Sequence, residues 1–321
     1  MRVWRAFTLA FWSTLITVCV GIVAVYFVLS QTLLSPSTAK RWLDQSGSYT
    51  VLAETVVPSL ISGNDVIPSN NLVASDMLTR AAKASITADD VKAKSGPIID
   101  AVYAWLDSKS PEVTFSVPVA AETDRFLQAL RNELFTKIKS LPECRGFIDP
   151  NTLADANCLP PYVTTDGAVD VVMARVQQQE LLRDKVLTPA TFTGKVTTPS
   201  KRIPDLISLF WVIQLIAIPV AAVLILFLVV KRRATGLIAI AVSMALPALA
   251  LLVIGLLIMG SGTTVIAGIV GKSEAAAIAA PLSKVVASSL TSTTLQTSGV
   301  LALVSIVLGG VGMWWRRRSL R

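Results

Sequence analysis

Four stretches of this sequence are apolar for so long that they decide which solvent the chain folds in. Residues 6–30, AFTLAFWSTLITVCVGIVAVYFVLS, and residues 206–230, LISLFWVIQLIAIPVAAVLILFLVV, each run without a charged side chain. Residues 236–259, GLIAIAVSMALPALALLVIGLLIM, follow after a short gap. The fourth, 298–315, is Gly-rich and ends in a Trp pair ahead of Arg316-Arg317-Arg318. A hydrocarbon core about 30 Å thick takes roughly 20 apolar residues in helix, so four transmembrane helices are predicted. The first stretch has the basic flank of a signal peptide, but it is too long for an h-region of about 7–15 residues. No A-x-A-like site follows it, and Thr17-Val18 are not the small residues that precede a lipid-modified cysteine. An uncleaved helix is expected.

Composition agrees. Hydrophobic residues make up 53% of the chain and charged ones only 16%, against about 25% charged in soluble domains. The formal net charge of +8 invites a nucleic-acid reading until the charges are placed. Arg2, Arg5, Lys231, Arg232, Arg233, Arg316, Arg317, Arg318 and Arg321 all fall on one side of a four-helix topology, with no acidic residue among them. Segment 31–205 holds 18 basic and 20 acidic residues, and 260–297 adds Lys272, Lys284 and Glu274. Basic residues mark the cytoplasmic side of inserted helices. Both termini are therefore expected in the cytoplasm of a cell (plasma or inner) membrane protein, with 31–205 extracytoplasmic. The excess charge is then a record of insertion, and nucleic-acid binding is rejected. Trp4, Trp12, Tyr26, Phe27, Phe210, Trp211, Trp314 and Trp315 gather towards helix ends, where aromatic belts sit.

The outer segment is of a size to carry its own core, and its dominant period is helical. Ser35-Pro36 reads as an N-cap and first helical residue, opening a helix to about Trp42-Leu43. Residues 48–61 continue helically, interrupted at Pro58. Asn70 or Asn71 is expected to cap a helix to about Ser85, with Leu72, Met77 and Leu78 on one face. Thr87-Ala88-Asp89-Asp90 resembles a capping box, starting a helix to about Ser108 with a kink or break at Pro97. Glu112–Val119 alternates and reads as a strand, kept to a sheet edge or strand end by Pro118. Residues 122–139 form the clearest amphipathic helix, with Leu127, Leu130, Leu134 and Ile138 as its stripe. A further helix is expected over 166–184, then a Pro/Thr/Ser-rich connector over 188–205.

Cys144 and Cys158 lie in a turn-rich stretch flanked by prolines. In an oxidising compartment two cysteines closing a short loop form a disulfide, whereas a reactive pair or a metal site would want C-x-x-C spacing or a histidine. A disulfide is expected. Cys19, within the membrane, is expected to be inert. The set Trp105-Leu106, Glu112–Val119, Leu141-Pro142-Glu143-Cys144 and Cys158-Leu159-Pro160 resembles a group of uncharacterised bacterial multi-pass membrane proteins. In that group an extracytoplasmic domain follows one N-terminal membrane helix and precedes several C-terminal ones. The resemblance implies an envelope location and carries no activity with it.

The chemistry-bearing residues are sparse. There is no histidine, which removes the usual neutral-pH base and imidazole metal sites. Gly271-Lys272-Ser273 lacks the earlier glycine of a P-loop, since position 266 is isoleucine. Ser108-Lys109 and Ser283-Lys284 are adjacent pairs that point different ways on a helix, the wrong spacing for proton transfer. Asp89-Asp90 and Asp166/Asp170 fit helix starts, without a Ca²⁺ loop around them. The apolar stretches hold no ionisable side chain, and Gln214 is their only amide, so an ion or proton path is disfavoured. Pro219 and Pro247 suit kinks, and Gly309, Gly310 and Gly312 suit close helix approach.

The expected fold is mainly α, with four transmembrane helices and a mostly helical extracytoplasmic domain carrying a small β element. Its parts are the first membrane helix, 1–30; the outer domain, 31–205; a transmembrane hairpin, 206–259; an amphipathic outer loop or helix, 260–297, docked on the domain; and the fourth helix with its basic tail, 298–321. No cofactor or metal is expected. The partners expected are the bilayer and an envelope protein, polymer or lipid, bound without catalysis. The alternatives are a part in a lipid or small-molecule transport pathway and a carboxylate-based envelope hydrolase.

Overall fold

The computed structural model of the chain describes residues 2–62, 72–144, 157–179, 182–183, 185–189, 202–270 and 275–318. The chain is mainly helical, with one two-stranded sheet. Four of its helical stretches are long and apolar enough to cross a membrane: Phe7–Gln31, Pro204–Lys231, Arg233–Gly260 and Ala279–Arg318. These are called the first to fourth spans.

Helix α1, Arg2–Gln31, carries the first span. Helix α2, Pro36–Gln45, starts where expected: the Ser35 side chain accepts a hydrogen bond from Thr38 N and Pro36 takes the first position, where a missing N–H costs nothing. Helix α3, Ser48–Val51, widens into a π turn, Leu52–Val56, before α4, Val57–Ser62. The Val57 N–H donates to Leu52 O across that turn, immediately before Pro58, which has no N–H to give. The proline is absorbed by widening the helix.

Helix α5, Ser75–Ser85, follows the buried pair Leu72 and Val73 and takes Ala74 as its N-cap, without a side-chain hydrogen bond, in place of the expected Asn70 or Asn71; those asparagines themselves lie outside the described residues. Helix α6, Ala88–Leu106, has the capping box: Asp90 N donates to Thr87 Oγ1 and Thr87 N donates to the Asp90 carboxylate. Of the kink or break expected at Pro97, the break is absent: the helix continues through it. The strand expected over Glu112–Val119 shrinks to β1, Val117–Pro118, paired antiparallel with β2, Val186–Leu187. Alternation needs a partner along its length to become a sheet, and only these two residues find one.

Helices α7, Ala120–Lys139, and α8, Thr165–Gln177, complete the outer part. Its core joins α5, α7 and α8: Leu78, Leu130, Leu134, Ile138 and Val169 are fully buried there, with Met77, Phe126, Val172 and Met173 around them. The four-residue stripe expected on α7 is buried as a set, because a spacing of three and four places it on one face.

Helix α9, Arg202–Val270, is two helices meeting at Arg233, whose backbone is non-helical (φ 40°, ψ −115°). Helix α10, Ala275–Arg318, is a single helix of 44 residues. Outside residues 271–274, the amphipathic segment 260–297 therefore falls on the extended ends of α9 and α10, and α10 passes from it into the fourth span without interruption. From Ala275 onward nothing in the sequence breaks the helix, and Pro281 lies within it.

Candidate functional site

The four spans are held together by small residues. Going down the third span, Ala248, Ala241 and Ala234 meet Ser298, Ser305 and Gly312 of the fourth in antiparallel order. Ser298 Oγ and Ser305 Oγ each donate to a backbone carbonyl across the interface, Ala248 O and Ala241 O, both at 2.8 Å. A Cβ on Gly312 would lie 3.0 Å from Ile238 Cγ1 and 3.2 Å from Ala234 O. One further step up, Gly255 faces Thr294 and Leu295. Steps of seven on both helices keep one small residue per two turns in the seam, a period that favours a left-handed crossing. The first span joins through Ser13, whose hydroxyl lies 2.7 Å from that of Ser243, and through a cluster of Ile16, Leu224, Leu228 and Ile240.

Many large apolar side chains of the third and fourth spans point outward. Leu303 and Ile306 on the fourth span are 64% and 74% exposed, and Leu249 and Leu257 on the third behave alike. In water this arrangement would be unstable; against lipid tails, which are as apolar as leucine, packing favours small residues inside.

The register also brings the basic residues to one end. Gly312 packs beside Ala234, so Arg316, Arg317 and Arg318 lie level with or beyond the turn carrying Lys231 and Arg233, and all five are exposed. Arg318 stacks on Trp314 at 4.0 Å, and Lys231 lies 5.0 Å above the Phe227 ring. Trp12 approaches the same Phe227, which puts the start of α1 at this end too. Arg2 and Arg5 lie on α1; their side chains and that of Arg232 are outside the described set, as is Arg321.

The opposite end meets the outer part. Thr38 Oγ1 donates to Gln31 O at 3.1 Å, and Tyr103 Oη donates to Leu33 O at 2.9 Å, tying α2 and α6 to the end of the first span. Burial pushes the Tyr103 phenol upward in pKa, which keeps it a neutral donor. Helix α10 packs on α2 and α3, and α9 touches α6. The outer part thus has a half seated on the spans, α2–α3–α6, and a half built on the α5–α7–α8 core.

Many of the acidic residues of the outer part are held by cations. Asp44 pairs with Lys92 at 2.6 Å, Asp100 with Lys40 at 2.7 Å, Asp124 with Lys185 at 2.6 Å and Asp170 with Arg131 at 2.8 Å. Arg80 bridges Asp76 and Glu133, joining α5 to α7. Asp90 is bound by Arg125 and by its own capping box, and these hydrogen bonds hold its pKa down to about 2. Glu122 faces Lys94 and Arg125; its second oxygen, Oε2, is buried without a partner. Asp76 is likewise shifted down by its hydrogen bond to Arg80. Among the described residues no three His, Cys, Asp or Glu side chains form a group that could hold a metal ion.

The sequence-expected sites fall as follows. Cys144 and Cys158 are disulfide-bonded, with Cα atoms 5.0 Å apart, beside a bridge between Glu143 and Leu159. Cys19 is free and buried against Ala217 and Ala221. Ser283 is buried and donates to Ala280 O while Lys284 is exposed, and Lys109 pairs with Asp107; neither serine has its neighbouring lysine as a partner. The Gly271-Lys272-Ser273 segment lies outside the described residues. Two features escaped the sequence reading: the seven-residue run of small side chains on both helices of the seam, legible in Ala234/Ala241/Ala248/Gly255, and the cleft at α2–α3–α6. That cleft, of about 330 Å³, is lined by Lys40, Arg41, Asp44, Tyr49, Lys92 and Gly96. Its residues come from distant segments, so no local pattern announces it.

No family model matches this chain, and no curated protein or solved structure is similar to it.

Proposed function

We propose that this chain is a multi-pass protein of the cell (plasma or inner) membrane, with both termini cytoplasmic and residues 31–205 extracytoplasmic. Its outer domain is a non-catalytic binding module for an envelope component: a lipid, a protein or a surface polymer. The gathering of Lys231, Arg233 and Arg316–Arg318 at one end of the spans, away from the outer part, supports the orientation. The observation that carries the functional reading is the state of the carboxylates. A carboxylate hydrolase needs a general acid whose pKa is raised. Here Asp90 and Asp76 are shifted down, and their neighbours are tied into ion pairs between helices. Such pairs fix a surface; they do not supply a proton. The second reading, a transport pathway using an apolar groove between the outer domain and spans two to four, gains no opening from the spans themselves, since the third and fourth close on each other through Gly312, Ser305 and Ser298.

Two measurements on the full chain test this reading. Labelling intact cells with a membrane-impermeant thiol reagent is expected to modify Cys144 and Cys158 only after reduction, and from outside. Labelling solely from the cytoplasmic side would reverse the orientation. Purified protein is expected to show no turnover of envelope glycans. Turnover abolished by Asp90→Asn or Glu122→Gln would replace the binding reading with the hydrolase.

A further inference from the structure

The cleft between α2, α3 and α6 has a composition and a position that together specify a ligand. Two helices aim three cations at it: Lys40 and Arg41 from α2, and Lys92 from α6. Two of these already have carboxylates, Lys92 with Asp44 and Lys40 with Asp100. Arg41 is exposed and has no acidic partner within ion-pair distance among the described residues. Asp89, one turn before Lys92 on α6, adds a further negative charge acting on that ammonium, so the cation left without a carboxylate of its own is Arg41. The paired lysines are also oriented: the Lys92 ammonium is fixed on Asp44, which lines the same cleft. Tyr49, 5% exposed, adds an aromatic wall, and Gly96 leaves room beside the Lys40 ammonium, since its Cβ would sit 4.0 Å from Lys40 Nζ.

The position matters as much as the charge. Helix α2 begins five residues after the end of the first span, and the Thr38–Gln31 and Tyr103–Leu33 hydrogen bonds hold α2 and α6 against that end. Five residues of helix from Pro36 to Arg41 rise only about 7.5 Å at 1.5 Å each. The cleft therefore lies close to the depth of lipid headgroups, which occupy roughly 5–8 Å beyond the hydrocarbon on each side. A guanidinium flanked by ammonium groups is a phosphate-binding set. One guanidinium without a carboxylate, beside two lysines already paired, matches a phosphodiester monoanion better than a phosphomonoester dianion.

We infer that the α2–α3–α6 cleft binds the phosphodiester of an anionic phospholipid headgroup in the outer leaflet, with Arg41 as the principal contact and Lys40 and Lys92 alongside it. The inference rests on the orientation proposed above. Thiol labelling reports that orientation independently of Arg41, so failure of one is distinguishable from failure of the other.

The test reads Arg41 itself, because the cations at the far end of the spans also retain anionic lipid. The full chain is reconstituted in nanodiscs and treated with phenylglyoxal, and modification of Arg41 is followed by peptide mass spectrometry. Nanodiscs containing phosphatidylglycerol are expected to slow modification of Arg41 at least fivefold relative to phosphatidylcholine nanodiscs. Exposed Arg131, on the distal half, should react equally in both. The slowing is expected to vanish in Lys92→Glu, which reverses one charge of the cleft while leaving Arg41 in place. As a check on folding, the Cys144–Cys158 bridge should persist in that variant. Equal modification rates in the two lipids would overturn the inference. So would protection in phosphatidylcholine nanodiscs by inorganic phosphate or soluble glycerol phosphate matching that given by phosphatidylglycerol, since the source would then be a soluble anion. Protection that survives Lys92→Glu would place the lipid elsewhere and would equally overturn it.

Discussion

The outer core and the seam between the third and fourth spans pack by opposite rules. In the outer core the largest side chains are the most deeply buried: Leu78, Leu130, Leu134 and Ile138 have no exposed surface. In the seam the interior goes to Ala234, Ala241, Ser298, Ser305 and Gly312, while Leu303 and Ile306 face out. Water drives large apolar surface inward at about 25 cal/mol per Å². Lipid tails offer no such drive, and close backbone approach and interhelical hydrogen bonds take over. One chain thus records two solvents, and the change of rule falls at the end of the first span and the start of the second.

The sharpest attempt to break this comparison exchanges size for burial. Leu134→Ala is expected to destabilise the outer domain by about 2–5 kcal/mol, read as faster amide exchange through α5, α7 and α8. Leu303→Ala on the lipid-facing side should leave exchange in the spans unchanged. Equal effects would mean that both regions follow one rule. Removing the disulfide with Cys144→Ser comes next. The bridge spans a sequence separation of 14, so the loop-entropy model gives about 3 kcal/mol, confined to the outer domain and absent from span thermostability. Smaller again is the seam: Gly312→Leu should cost about 1–3 kcal/mol by overpacking, lowering the melting temperature in detergent. Gly310→Leu, where an added Cβ meets nothing within 4 Å, should be neutral. Ser305→Ala removes one interhelical hydrogen bond, worth about 0.6 kcal/mol in a membrane.

The last effect is a pH dependence restricted to the outer domain. The folded Asp90 pKa, about 2, lies below the ordinary aspartate value of 3.8. Its stabilisation is therefore present above about pH 4 and fades as the pH falls towards 2. A partly exposed ion pair contributes about 0.2–1 kcal/mol. Asp90→Asn is expected to flatten that portion of an acid-unfolding curve followed by near-UV circular dichroism, leaving the spans unaffected. An unchanged curve would show that the Arg125 pair and the capping box contribute nothing to stability.

Local signals were the legible ones. Ser35-Pro36, the Thr87–Asp90 box and the α7 stripe each act within about one to four turns, and each appears where the sequence places it. Glu112–Val119 misled because alternation describes a strand that needs a partner, and the partner is only Val186–Leu187. Segment 260–297 was legible in part: α10 is helical there and packs on α2 and α3, in line with docking on the domain, but its unbroken passage into the fourth span is not announced by the amphipathic pattern. The cleft was illegible because Arg41, Tyr49 and Lys92 are brought together by the packing of α2 and α3 on α6.

By itself the sequence determined the number of apolar spans and the gathering of basic residues at their ends, because burial of apolar residues and exclusion of charge from hydrocarbon act residue by residue along the chain. It also determined the caps at Ser35 and Thr87, whose partners lie within three residues. Only the tertiary structure decided which spans touch, and at what register. A seam of small residues has no hydrophobic signature, and its specificity comes from the fit of Gly312 against Ala234 and of two serine hydroxyls on carbonyls of the facing helix. The tertiary structure likewise decided which carboxylates are neutralised, and it leaves Arg41, in the cleft, without one among the described residues. Ion pairing between distant segments depends on distances of a few ångströms, and those exist only once the helices have packed.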